Sequence, residues 1–148
     1  MYYAKCNVGY VVKIEVGEEI QDALRQFAEA TSLKGASYQG IGVLNRVELA
    51  FFCTDLKLYD RKFFDDEYEI SLLGNLSKTD GAYAPHTHIT LSDRNFQTYS
   101  GHLVRGIVSV TVEIVVTQLD LALTREDDPI LQYKSLVIPR PSQLKVHG

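Results

Sequence analysis

Several common signatures are missing from these 148 residues, and each absence narrows what the chain can be. No uninterrupted apolar run approaches the ~18 residues of a membrane-spanning helix, so no membrane partner is expected. The opening Met1-Tyr2-Tyr3-Ala4-Lys5 lacks the basic-then-apolar order of a secretory leader, and the cytoplasm is the expected compartment. Positive charge is not in excess. Fifteen Lys and Arg stand against nineteen Asp and Glu, a formal net charge of −4. Nucleic-acid-binding domains draw much of their affinity from Lys and Arg on phosphates, so DNA is not the default partner. There are two cysteines, Cys6 and Cys53, and no Cys-x-x-Cys spacing. A domain of this size buries about 68–70% of its unfolded surface and needs no disulfide staple. Both thiols are therefore expected to be small buried hydrophobes. Gly40-Ile41-Gly42 lacks the rest of a dinucleotide fingerprint. No Ser-His-Asp or Cys-His arrangement, internal repeat, low-complexity tract or linker is evident, and residues 1–148 read as one domain.

What is present is an ordinary globular composition, 45% hydrophobic and 23% charged. Residues 2–16 alternate loosely and read as one strand. Gly17 ends it, and Glu18-Glu19 then favour a helix amino terminus. Ile20, Leu24 and Phe27, with Ala23 and Ala28 beside them, form an apolar stripe that predicts a helix over 18–32. The rest reads as β: strands over 36–42, 43–54, 67–76 and 85–91, with turns expected at 60–66, 78–81 and 92–95. The Val- and Ile-rich run 106–123 predicts one long strand, or two bent at Gln118-Leu119. An edge strand over 133–138 is expected to stop at Pro139-Arg140-Pro141. The expected fold is α+β, a mostly antiparallel sheet with one or two packed helices. A sheet this apolar must hide its second face, and identical subunits are one way to do so.

Three of the four histidines fall between positions 86 and 102. His86 and His88 are two apart on a predicted strand, so both imidazoles project from one face. His102 follows a short turn, and a hairpin would bring all three rings to one ion. Zn–N bonds of about 2.0–2.1 Å and a fourth position for water or substrate suit such a set. Iron, nickel and copper also accept imidazole. His147 sits in a polar tail and is expected to be exposed. Glu69 and Glu113 each interrupt a β pattern. Either could accept a hydrogen bond from a ligand histidine, act as a fourth ligand, or serve as a general base. Either could equally lie on a wet face or pair with a Lys or Arg.

The chain resembles the plants-and-prokaryotes conserved (PPC) domain family. Four segments carry the resemblance: Gly40-Ile41-Gly42-Val43-Leu44, then Tyr68 to Leu76, then His86-Thr87-His88-Ile89-Thr90-Leu91-Ser92-Asp93, and finally Ser100-Gly101-His102-Leu103 with Gly106 and Val112 to Val116. They cover residues 5 to about 120, leaving a C-terminal strand and tail over 130–148. Ser100 stands where the family usually has glycine, which bears on turn geometry and removes no ligand. The resemblance implies an α+β homotrimer. It also implies a metal site, as in microbial members, on His86, His88 and His102. Plant members join the domain to AT-hooks, and no such motif occurs here. They also use the segment matching Tyr68 to Leu72 to contact partners. The three-histidine pattern is also similar, more distantly, to that of acetolactate decarboxylase and a zinc ester hydrolase.

Two functional readings follow. The first is a homotrimeric regulatory or DNA-associated module holding a divalent metal, with zinc the expected ion. The second is a small zinc-type hydrolase or decarboxylase acting through a metal-bound water, with Glu69 or Glu113 moving protons.

Overall fold

The structure is a computed structural model that describes residues 1–138. The expectations for Pro139-Arg140-Pro141 and His147 lie outside the described residues. The chain runs β1 (Tyr2–Cys6), β2 (Gly9–Glu15), α1 (Ile20–Thr31), β3 (Gly35–Cys53), β4 (Leu58–Phe64), β5 (Tyr68–Thr79), β6 (Ala82–Ser92), β7 (Thr98–Leu119), β8 (Thr124–Asp127) and β9 (Lys134–Val137). It is an α+β fold, mostly strand, with a single helix among the described residues.

All the strands join one sheet, ordered β1-β2-β7-β3-β5-β8-β9, with β4 on β3 and β6 pairing both β5 and β7. Among the described residues every strand pairing is antiparallel except β5 with β8. The pairings β3–β5, β5–β6, β6–β7 and β7–β3 close a circuit. The circuit is possible because β3 bends. Its register against β7 shifts between Gly42 and Leu44, between Asn45 and Glu48, and between Glu48 and Leu49, as bulges do when they sharpen local twist. Gly42 is required at this bend, since a Cβ there would sit 2.2 Å from the Thr111 carbonyl oxygen.

The helix forms where the apolar stripe predicts. Ile20, Ala23, Leu24, Phe27 and Ala28 are buried. The Glu19 carboxylate caps the first turn, accepting from the backbone N–H of Gln21 (3.1 Å) and Asp22 (2.8 Å). It also accepts from the Gly106 N–H at 3.1 Å, tying the helix start to β7. The buried face meets Val12, Ile14, Leu72, Leu76, Ile89, Leu91, Ile114 and Val116 in one core cluster.

Several boundaries differ from expectation. Residues 2–16 form a hairpin, not one strand, closing at Cys6↔Gly9. Gly9, at φ +146°, permits a turn that loose alternation conceals. Asp60 to Phe64 belong to β4, so only Asp65 and Asp66 of the expected turn lie between strands, and a second turn lies earlier, where Lys57 takes φ +52°. This flanking strand is exposed at every position but Phe64, so its composition mimics a turn. The segments expected over 36–42 and 43–54 are one bent strand, Gly35–Cys53, and β7 is one strand from Thr98 to Leu119. Cys6 and Cys53 are free, as expected, but half-buried rather than fully inside.

Candidate metal centre

Cross-strand pairing sets the site. His88 lies directly opposite His102 across β6 and β7, and His86 opposite Asn75 across β6 and β5. Directly paired residues share a sheet face, so the three imidazoles emerge together on the outer face. Each offers a nitrogen, and these three atoms lie within 4.8 Å of one another. Ring centroids are 5.0–5.8 Å apart.

The residue between two of them holds the strand in place. Thr87 points inward and is fully buried. Its hydroxyl pairs with Tyr38 Oη at 2.6 Å and donates to Gln21 Oε1 at 2.8 Å, while Gln21 Nε2 donates to the Leu103 carbonyl at 3.1 Å. Burial pushes the Tyr38 phenol well above its ordinary pKa, which keeps it neutral. The chain of bonds runs from β3 through β6 and α1 to β7, ending beside His102. Gly74 clears the space opposite. A Cβ there would lie 2.3 Å from the His86 carbonyl oxygen and 2.5 Å from Tyr38 Oη.

The donor set fits a metal ion. Burial, followed by the positive field of Arg125 and the two other histidines, pushes the His86 pKa down to about 4. His102 is also lowered, by burial first and then by His88, Arg125 and Arg61. Both rings are therefore neutral at pH 7, the form that ligates. His102 Nδ1 is buried and has no hydrogen-bond partner among the described residues, an omission that a bound cation would repair. Three imidazoles and no thiolate form a borderline donor set that suits zinc and its neighbours.

The triad opens on a cleft of about 710 Å³ walled by Phe52, Tyr59, Tyr133, Leu131, Arg125 and Lys134, among others. Sequence reading missed these residues. Arg125 arrives through a two-residue parallel pairing, Lys78↔Thr124 and Thr79↔Arg125, which leaves no periodic trace. Glu69 and Glu113 are exposed and do not line the cleft. Glu69 pairs with Ser92, four residues beyond His88, or about 13 Å along the strand. Glu113 pairs with Lys13 and Ile41 farther across the same outer face.

The comparisons with known proteins agree with this architecture. The family model for the Plants and Prokaryotes Conserved (PCC) domain matches residues 1–120. The chain belongs to the PCC domain family. A "putative DNA-binding protein" from Bacteroides thetaiotaomicron shares the PCC fold at a TM-score of 0.87 and 31% identity, covering 92% of this chain and 96% of that one. A second "putative DNA-binding protein", from Ralstonia eutropha JMP134, matches at 0.87 and 29%, covering 93% and 96%. A "metal-containing protein" from Archaeoglobus fulgidus shares the fold at 0.81 and 22% identity, covering 93% and 99%. Among curated proteins, the bifunctional protein GlmU of a Synechococcus strain is 25% identical over 140 residues, 90% of this chain. The chain spans about a fifth (21%) of that protein's length.

The depressed His86 pKa has a consequence for stability. Between the unfolded value of 6.5 and the folded value of about 4, the unfolded chain binds the extra proton, so stability falls as pH falls through that window. In urea denaturation of the metal-free protein, the midpoint drops from pH 7 to pH 4.5. In His86→Asn the drop is smaller, and equal slopes for the two proteins would show that His86 makes no such contribution.

Proposed function

We propose that this chain is a homotrimeric PCC-domain module that holds a divalent metal ion, zinc being the expected one, and serves a regulatory, DNA-associated role. His86, His88 and His102 are the metal-binding residues. The observation that carries the reading is the convergence of three imidazole nitrogens within 4.8 Å. It is supported by the "metal-containing" relative from Archaeoglobus. The DNA association draws its support from the relatives named for DNA binding.

The trimer draws support from the outer sheet face. Val11, Ile41, Leu73 and Val115 are 49, 63, 66 and 41% exposed there. They lie in adjoining strands on the face that α1 leaves uncovered. Apolar side chains clustered in this way mark a contact surface.

The open cleft favours a second reading, a metal-dependent hydrolase or decarboxylase. Three protein donors leave a coordination position free, and a bound ion would supply Lewis acidity there. In this chain, Arg125 and the aromatic walls would orient a substrate. Glu69 and Glu113 remain the candidates for moving a proton. Neither lines the cleft within one chain, so in this reading the carboxylate would have to come from a neighbouring copy.

Elemental mass spectrometry on untagged protein, purified without chelator, is expected to find about one zinc or similar ion per chain. The His86→Ala, His88→Ala double variant is expected to have lost it. Wild-type protein that carries no metal and takes up none on dialysis against zinc would contradict the site. Light scattering is expected to give three times the 16.7 kDa chain mass, with Ile41→Asp shifting the protein to monomer. A monomeric wild type would end the trimer reading.

A further inference from the structure

The cleft beside the histidines carries a charge imbalance. Arg125 enters it from β8, beyond the 1–120 stretch that matches the family. Its Nε donates to Ser77 Oγ at 3.0 Å and its Nη1 to the Lys134 carbonyl at 3.1 Å. Its Nη2 donates to Asn75 Oδ1 at 3.0 Å and to His86 Nδ1 at 2.7 Å. These bonds use four of the guanidinium's five N–H groups, and every acceptor is neutral. Among the described residues no carboxylate lies within ion-pair distance of Arg125, and no Asp or Glu lines the cleft. Lys134, the second cation there, is already paired with Asp80 (3.4 Å) and Asp127 (3.1 Å). A part-buried guanidinium without a counter-charge is costly. A cleft of one sign attracts an anion from outside.

His86 adds a chemical constraint. A neutral imidazole has one unprotonated nitrogen, and arginine can only donate. Nδ1 of His86 therefore accepts from Arg125, and Nε2 carries the proton. Ligation through Nδ1 displaces the guanidinium. Ligation through Nε2 moves the proton to Nδ1, which can then no longer accept. Either route breaks the Arg125–His86 bond and frees a second N–H.

We propose that Arg125 holds the carboxylate of a small organic acid in this cleft, and that metal uptake by His86 frees the guanidinium to do so. A planar fork matches a carboxylate through two parallel bonds. Phe52, Tyr59 and Tyr133, with neighbouring rings 5.1 and 5.8 Å apart, suit an organic body rather than a bare phosphate ion. The release step rests on the metal reading above, whereas the missing counter-charge does not.

The test measures zinc affinity of the full chain by competition with a chromophoric chelator. Wild type, Arg125→Met and Arg125→Lys are compared, alone and with benzoate, benzamide or inorganic phosphate. Arg125→Met is expected to bind zinc about tenfold more tightly than wild type, because no guanidinium has to leave. Benzoate is expected to tighten zinc binding about five- to tenfold in wild type, by reciprocal linkage. Benzamide and phosphate are expected to have no such effect. Arg125→Lys keeps the charge without the fork and is expected to lose most of the benzoate effect. It also stands in should the Met variant fail to fold for want of a donor to Asn75 and Ser77. Equal zinc affinity in wild type and both variants would overturn the release step. Benzoate coupling that is absent from wild type, or equal in all three proteins, would overturn the anchor. Coupling to phosphate and not to benzoate would overturn the carboxylate assignment. If none of the three proteins takes up zinc, the metal reading itself falls, and the release step with it.

Discussion

The inward hydroxyl of Thr87 is the contact on which the site depends. A strand alternates its side chains, so fixing one residue fixes the faces of both neighbours. Thr87 is bonded to Tyr38 at 2.6 Å and to Gln21 at 2.8 Å inside a dry core. A one-residue slip of β6 would bury two imidazoles and expose that hydroxyl, and leaving its partners unpaired would cost about 1–3 kcal/mol per group. The register therefore carries His86 and His88 outward, while the direct pairing of His88 with His102 supplies the third ring. Gly74 and the bent β3 serve the same end, letting Tyr38 and the His86 backbone approach closely.

Electrostatics gives the site its character. Three part-exposed imidazoles and a guanidinium converge, with no acidic residue among the described residues that line the cleft. Burial first, and that crowding second, keep His86 and His102 neutral, and neutral rings are what a divalent ion requires. The protein as a whole is acidic, at −4, so the cleft is a local exception to the global balance. The family domain builds the histidine platform, and the β8–β9 hairpin beyond residue 120 adds the cationic wall.

Much of this was legible in the sequence because the signals were local. The helix follows from Ile20, Leu24 and Phe27 at helical spacing, and the shared face of His86 and His88 follows from their two-residue spacing. The position of His102 required only a hairpin. Long-range and edge features were hidden. β4 reads as a turn because nearly every residue in it faces water. Arg125 reads as an unremarkable charge because only a short parallel pairing brings it to the cleft. Glu69 and Glu113 stand out as breaks in apolar strands. In this chain, however, they are outer-face residues set away from the triad, and their patterning says nothing about distance along the strand.

The metal centre requires these three side chains together to form one coordination sphere. X-ray absorption at the zinc edge, on zinc-loaded protein, addresses it directly. Three imidazole nitrogens at about 2.0–2.1 Å, with no zinc retained by the His86→Ala, His88→Ala variant, are the predicted result. A shell made of thiolate sulfur or of water and carboxylate oxygens, unchanged in the variant, would place the ion elsewhere and contradict the account.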